Sequence, residues 1–435
     1  MKSKLCSVLL LAFILTACGE GKEEALDKEI HALKLVIDQD NISEKNFQEI
    51  KQKIDKLADE ASHKPRYWVQ KARFELVCGY FSLQCKVERR WDKALKAIEQ
   101  AKKLGPNDVE VLSLSGHILR NINDHESARE DLEKALSINN KHAWANLNYG
   151  ALMADIGMKM PFKLEDEAYM DRRRNIFKKS LAAFKVVLDG DYRNREKKAA
   201  LAKCDDVAVW VHHEERLYCH KKAIELDYFD NLKEKAWARG NYALQLLKAE
   251  KYSEAKKYAE EALQLMKYPM ARKMLAASYL GLWKQSGYKD DSHFHQAFKV
   301  YSRNKLDPVF ALSQLTLMSD IPFYKKLQEK GIDLNQLDSK GMTLLGRALV
   351  FYINDKEKNF DRIKSFVEQL DLKIDQPYVS RPNQEPVYTT PIQAVRERLE
   401  KLKERSKKEY FNDHVALNVY TKLYEYFQQR LKKEL

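Results

Sequence analysis

The chain is poor in the two residues that most often interrupt helices, with 14 Gly and 10 Pro in 435 residues. That scarcity fits an all-helical chain joined by short turns. The few glycines are too scattered to cradle a phosphate, and G-x-x-x-x-G-K-[ST] does not occur. Gly-x-Ser-x-Gly is also missing, so no serine nucleophile elbow is present. Long apolar runs are absent except at the very start. Cysteine is sparse, six in all.

The one apolar run, Leu5 to Leu15, follows Lys2 and Lys4. It is too short for a stable membrane span, which takes about 20 apolar residues, but suits the h-region of a signal peptide. It ends in Leu15-Thr16-Ala17-Cys18, followed by Gly19-Glu20-Gly21. This resembles the bacterial lipobox. The resemblance implies a diacylglyceryl thioether on Cys18, cleavage before it, and often further acylation of the new amino terminus. Two or three acyl chains anchor stably, since each buried methylene contributes roughly 0.8 kcal/mol. Gly19 rather than Asp after the cysteine resembles the outer-membrane sorting pattern of cells with two membranes. The expectation is a body facing the periplasm, tethered to a membrane at its first residue.

Lys and Arg outnumber Asp and Glu by 77 to 64, a net charge of +13, and two of those Lys lie in the leader, leaving 13 − 2 = +11. The charges are interleaved with acids along helices rather than gathered in a block, which together with the compartment argues against nucleic acid. A solvated helical surface accounts for them, and an anionic partner (lipid headgroups, wall polymer or an acidic protein) is the sharper alternative.

Four cysteines remain beyond the leader and the anchor: Cys78, Cys85, Cys204 and Cys219. An even count in an oxidising compartment suggests disulfides. Residues seven apart on one helix stand about 10 Å apart, too far to bridge. Cys78–Cys85 therefore needs a chain break, which Gly79 and the 82–84 stretch offer. Cys204–Cys219 is the remaining local pair, with the crossed pairings left open.

A 34-residue period runs through the middle of the chain. In Val109 to His142, Gly116, Ala128, Leu132 and Ala135 take the eighth, twentieth, twenty-fourth and twenty-seventh places. The next unit starts at Ala143, with Gly150 at its eighth place and Gly157 at the fifteenth, where a turn is expected. About 17 residues, near Met158 to Asn175, are then inserted before a second helix carrying Ser180, Phe184 and Val187. A third unit, Ala236 to Pro269, carries Ala243, Tyr252, Ala255, Ala259 and Ala262, and its phase continues to Ala277. Arg66 to Asp108 reads as a first repeat with Ala94, Ile98 and Ala101, and 220–231 closes a further one. This pattern resembles the tetratricopeptide (TPR) repeat, which implies paired helices stacking to share one core.

After about Lys305 the phase is lost. Gly331, Asp333, Asn335, Asp338, Gly341, Thr343, Leu345 and Ala348 resemble the ankyrin repeat run, with Leu344 and Gly346 departing from its usual Pro and His. The resemblance implies a turn shaped by Asn and Asp and a helix capped by Thr343. Thr390-Pro391 opens a weaker match. The three-proline loop Gln376 to Pro386 is the expected mobile segment, and His414 to Leu435 the expected cap.

The cluster that invites metal chemistry is His212, His213, Glu215, Cys219 and His220. A zincin would need His at 217, where Leu stands. Disulfide formation by Cys219 and surface packing of the histidines account for it better. The TPR resemblance instead implies ligand-facing places on the first helix of each repeat. In the unit at 109 these are Glu110, Ser113, His117, Arg120 and Asn121, and in the unit at 143 they include Trp144, Leu147 and Asp155.

The expected organisation is a signal peptide (1–17), a lipidated N-terminus with leading helices (18–64), TPR-like repeats (65–305) and ankyrin-like repeats with a capping helix (306–435). The expected class is all-α: a TPR-type α-solenoid followed by a short ankyrin-like array. The expected function is a non-enzymatic, membrane-anchored periplasmic scaffold in envelope assembly that binds a partner protein or peptide, an envelope or effector protein, with no cofactor and no nucleic acid. A periplasmic immunity or inhibitor protein is the alternative, and a metal-dependent hydrolase the third reading.

Overall fold

The computed structural model describes residues 22–37, 44–81, 90–161, 166–301, 304–316, 320–352, 358–379, 388–407 and 414–434. The leader, the lipobox and Cys18 lie outside these residues, as do Cys85, the side chain of Cys78 and residues 380–386 of the three-proline loop. The described residues form helices and one pair of two-residue strands. No helix among them is long and apolar enough to cross a membrane. The chain divides into two compact units, Met1–Cys219 and His220–Leu435.

The first unit opens with α1 (Lys22–Ile37), α2 (Glu44–Ala61) and α3 (Pro65–Phe81). Apolar residues recur every three or four places on α1 (Leu26, Ile30, Leu33, Ile37) and on α2 (Phe47, Ile50, Ile54, Leu57, Ala61), so each helix has one apolar face. Those faces close on Tyr67 and Phe74 of α3, with the Phe47 and Phe74 rings stacked at 4.8 Å. α4 (Arg90–Leu104) and α5 (Val109–Asn121) follow. Ala94, Ile98 and Ala101 of α4 are fully buried against Val111, Leu114 and Ile118 of α5.

α5 pairs with α6 (His125–Ile138) as a hairpin. Asp108 caps α5 by accepting the Glu110 and Val111 N–H groups at 2.8 and 3.2 Å, satisfying donors that the first helical turn leaves free. Asp124 caps α6 through the Ser127 N–H at 3.2 Å, and Asn123 turns the chain at φ +67°. The hairpin is close because position 116 has no side chain: a Cβ there would overlap the Leu132 side chain. Leu132 is fully buried, which contributes about 1.5–3 kcal/mol relative to exposure.

α7 (Ala143–Lys159) and α8 (Glu167–Asp189) form the next hairpin. Gly157, expected in a turn, lies instead inside α7, buried beside the Phe177 ring. Most of the insertion is helical: α7 runs on to Lys159, and α8 begins at Glu167, well before the 177–191 segment that the period assigned to the second helix. α9 (Asn194–Ala208) and α10 (His213–Leu226) follow, the boundary between units falling within α10. A disulfide joins Cys204 to Cys219, with Cα atoms 5.7 Å apart and a separation of 15 positions in sequence. Closing a loop of that length restricts the unfolded chain by about 3 kcal/mol.

The second unit continues with α11 (Leu232–Lys248), α12 (Tyr252–Leu265) and α13 (Pro269–Gln285). Here Ala243, Tyr252, Ala255, Ala259, Ala262 and Ala277 are all buried, as the repeating small residues require. α14 (Asp291–Val300), α15 (Leu306–Thr316) and α16 (Ile321–Glu329) come next. The fully buried Trp283 ring of α13 meets Tyr288, Phe294 and Phe323 at 4.9, 5.0 and 6.1 Å.

The remaining elements are α17 (Leu344–Tyr352), α18 (Lys358–Leu370), β1 (Tyr378–Val379), β2 (Tyr388–Thr389), α19 (Pro391–Ser406) and α20 (His414–Glu434). The strands pair antiparallel, Tyr378 with Thr389 and Val379 with Tyr388. Thr343 caps α17 by accepting the Gly346 N–H at 2.9 Å, and Thr390 with Gln393 forms a capping box on α19. Gly346 makes room for the buried Tyr378 ring, which a Cβ would meet at 2.7 Å. Asp338 organises the turn before α17: its Oδ1 accepts the Lys340 and Met342 N–H groups at 2.7 and 2.8 Å, and its Oδ2 accepts Arg347 Nε at 2.6 Å.

Gly116→Val tests the close hairpin. Valine has the better helical preference, by a few tenths of a kcal/mol, but it must displace Leu132. A net loss of about 1–3 kcal/mol is expected in chemical denaturation.

Candidate functional site

Six of the sequence-derived residues meet on one polar and aromatic surface of the first unit. His117 stands on α5, and its Nδ1 is 2.9 Å from Asn148 Oδ1 on α7. Asn148 donates its own Nδ2 to the Trp144 carbonyl at 2.9 Å, which leaves Oδ1 to accept and makes His117 Nδ1 the donor. The imidazole lies between two indoles, with centroids 6.0 Å from Trp91 and 6.5 Å from Trp144. Burial and the nearby Arg120 guanidinium push the His117 pKa down to about 4, against the smaller opposing effect of the Asn148 hydrogen bond.

One turn further along α5, Arg120 Nε is 3.6 Å from Asp155 Oδ2 on α7. Burial lowers the Arg120 pKa, and the Asp155 charge opposes that. Asp155 is half exposed, whereas Arg120 is mostly covered. Asn121 is exposed, its Nδ2 donating to the His117 carbonyl at 2.8 Å. Leu147 is half-buried, one helical turn beyond Trp144. Thus His117, Arg120, Asn121, Trp144, Leu147 and Asp155 occupy neighbouring turns of two packed helices.

The start of α5 is differently committed. Glu110 is held by Arg73 at 2.8 Å and Lys34 at 2.9 Å. Burial alone raises its carboxyl, but those two cations outweigh it and hold the pKa below its ordinary value. Ser113 is 2 % exposed, donating to the Val109 carbonyl at 2.6 Å and lying 3.2 Å from His142 Nδ1. Glu110 is thus paired internally, and Ser113 lies beneath the surface. Lys34 and Arg73 had no signal in the sequence, since they reach Glu110 from helices far away in the chain. Asn148 was readable, one turn beyond Trp144 on the same face. Trp91 was not.

The His212 cluster does not converge on a cysteine ligand, because Cys219 is bonded to Cys204. His212 and His213 are exposed, with ring centroids 4.4 Å apart. His220 is half-buried on α10.

These observations define an all-α protein built from paired helices, with a half-buried aromatic and charged surface on consecutive first helices. The model of the tetratricopeptide repeat family matches residues 109–142. No curated protein matches the chain. Among solved structures, the chain is similar to pilF of Pseudomonas aeruginosa at 15% identity, covering 58% of this chain and 96% of that one with a TM-score of 0.31. A tetratricopeptide repeat protein from Parabacteroides merdae is 11% identical, covering 66% and 97% with a TM-score of 0.32. RapI in its apo form is 13% identical, covering 94% and 98% with a TM-score of 0.36. Likenesses this low leave the 109–142 match and the packing itself to define the repeat.

The depressed His117 pKa carries a pH dependence. The folded value of about 4 lies below the ordinary value of 6.5, so between these the unfolded chain binds the extra proton. The stability of the neutral state is complete above about pH 6.5 and is lost as pH falls toward 4. His142, also lowered, first by burial, adds in the same direction. Acid titration of the unfolding free energy should steepen in this window, and His117→Gln should flatten part of the slope.

Proposed function

We propose that this protein is a lipid-anchored scaffold of the bacterial envelope that binds another protein through the surface around His117, Arg120 and Trp144. The carrying observation is that surface: His117 and Trp144 with the Arg120–Asp155 pair on two consecutive first helices, and Trp91 of α4 on the far side of the His117 ring. Half-buried indoles offer large contact area at little entropic cost, and a partly covered guanidinium offers directed donors to a carboxylate or peptide carbonyl. The repeat architecture supports a binding role, because stacked hairpins place such residues in series. Nothing in the site assembles a nucleophile with a base, and the protein is read as non-catalytic.

The anchor is inferred from Leu15-Thr16-Ala17-Cys18 alone. Cleavage before Cys18 and its acylation would place the body in the periplasm, and Gly19 favours the outer membrane. In 306–435 the Thr343 cap, the turn held by Asp338 and the short hairpin ahead of α19 are consistent with ankyrin-like repeats. We read that segment as a second binding surface.

Two experiments test this. Crosslinked recovery from the native envelope should capture a partner that is lost on combining Arg120→Glu with Trp144→Ala, with circular dichroism confirming an intact fold; undiminished recovery would remove these residues from the interface. Separately, Cys18→Ala should shift the protein from the membrane pellet to the soluble fraction and abolish labelling by a palmitate analogue. A variant that stays membrane-bound and labelled would overturn the anchor.

A further inference from the structure

A cavity of about 290 Å³ in the second unit, close to the lower bound of roughly 300 Å³ for small-molecule sites, holds chemistry that the His117 surface does not use. It is walled by α13, α15, the turn before α17 and α17 itself, with the residues closing α14 at one side. Its charges are unequal: Arg272, Lys273, Lys340 and Arg347 face a single acid, Asp307.

Two of these groups are incompletely satisfied. Arg347 is compensated by Asp338, but no carboxylate stands within ion-pair distance of Lys273 among the described residues. Burial and the nearby Lys340 and Arg347 charges hold the Lys273 ammonium below its ordinary pKa, with only weaker relief from Asp307 and Asp338. Asp307 is 6% exposed; its Oδ1 accepts the Ser339 N–H at 3.0 Å, whereas its buried Oδ2 has no partner. Leaving such an acceptor unmatched is unfavourable, and a ligand donor would relieve it. The rest of the wall is apolar, with Met270, Met274, Phe310 and Ala311.

These demands select among ligands. A bare phosphate answers the cations, but it offers Asp307 no useful donor and brings like charge beside it. A purely apolar molecule answers neither charge. A carboxylate with an N–H donor on the adjacent carbon and an apolar arm answers all three.

We propose that this cavity binds an apolar α-amino acid, free or as the last residue of a peptide, with its carboxylate toward Lys273 and Lys340, its N–H toward Asp307 Oδ2, and its side chain against Met274 and Phe310. The proposal is independent of the His117 surface and of the lipid anchor.

Calorimetric titration of the full mature chain with L-leucine, and with a tripeptide ending in leucine, tests it. At least one of the two should bind. Lys273→Met and Asp307→Asn, which keep most of the side-chain volume, should each weaken binding by about tenfold or more, roughly 1.4 kcal/mol or more, at unchanged unfolding temperature. Leucinamide, which lacks the carboxylate, and isocaproate, which lacks the donor, should bind as poorly as the variants bind leucine. Tighter binding of free leucine identifies the free amino acid as ligand, and tighter binding of the tripeptide identifies a chain end. No binding of either probe at millimolar concentration overturns the proposal. So does full affinity for leucinamide or isocaproate, or binding indifferent to both substitutions while the fold stays intact.

Discussion

The close approach of paired helices at small residues is the constraint on which the rest of the first unit depends. Gly116 lies against Leu132 and Ala128 packs beside it, so α5 and α6 meet with little side-chain bulk between them. Each hairpin then has an apolar face that it cannot cover alone. The Val111, Leu114 and Ile118 face of α5 is covered by α4, and Leu112 with Ala135 is covered by Ala145 of α7. The same stacking places α5 and α7 side by side. That alone brings His117 to Asn148 and Arg120 to Asp155.

The polar groups around that seam are arranged by burial rather than by local sequence. His117 is kept neutral because a charged imidazole would lie beside Arg120 in a poorly hydrated site. Glu110 is kept charged in a comparably covered place because Arg73 and Lys34 converge on it. Two groups on one helix are thus both held deprotonated, one neutral and one charged, by different neighbours. The result is a surface whose inner end is internally paired and whose outer end carries Trp144, Asn121 and the half-exposed Asp155. In the second unit the same logic is left unfinished at Asp307 and Lys273, where burial has separated opposite charges without pairing them.

Local chain chemistry explains the element boundaries that period alone placed less well. Gly157 reads as a turn by repeat arithmetic, but it lies in α7 because the Phe177 ring needs the space a side chain would fill. The inserted 158–175 stretch is largely absorbed by lengthening α7 and α8, since it contains a single proline, Pro161, and otherwise mostly helix-tolerant residues. Position 346 holds a glycine for a similar reason, the Tyr378 ring lying where a larger side chain would stand.

The all-helical class, the hairpin repeat and the small residues at 116, 128, 135, 243, 255 and 262 were legible in the sequence, because helical packing writes a period that survives in one dimension. Cys204–Cys219 was legible for a related reason: it closes a short loop between adjacent helices. The partners of Glu110, the placing of Ser113 beneath the surface and the placing of Lys273 and Asp307 on one cavity wall were decided by tertiary structure. Each depends on residues brought together from separate helices, and a contact across such distances leaves no spacing along the chain by which it can be read.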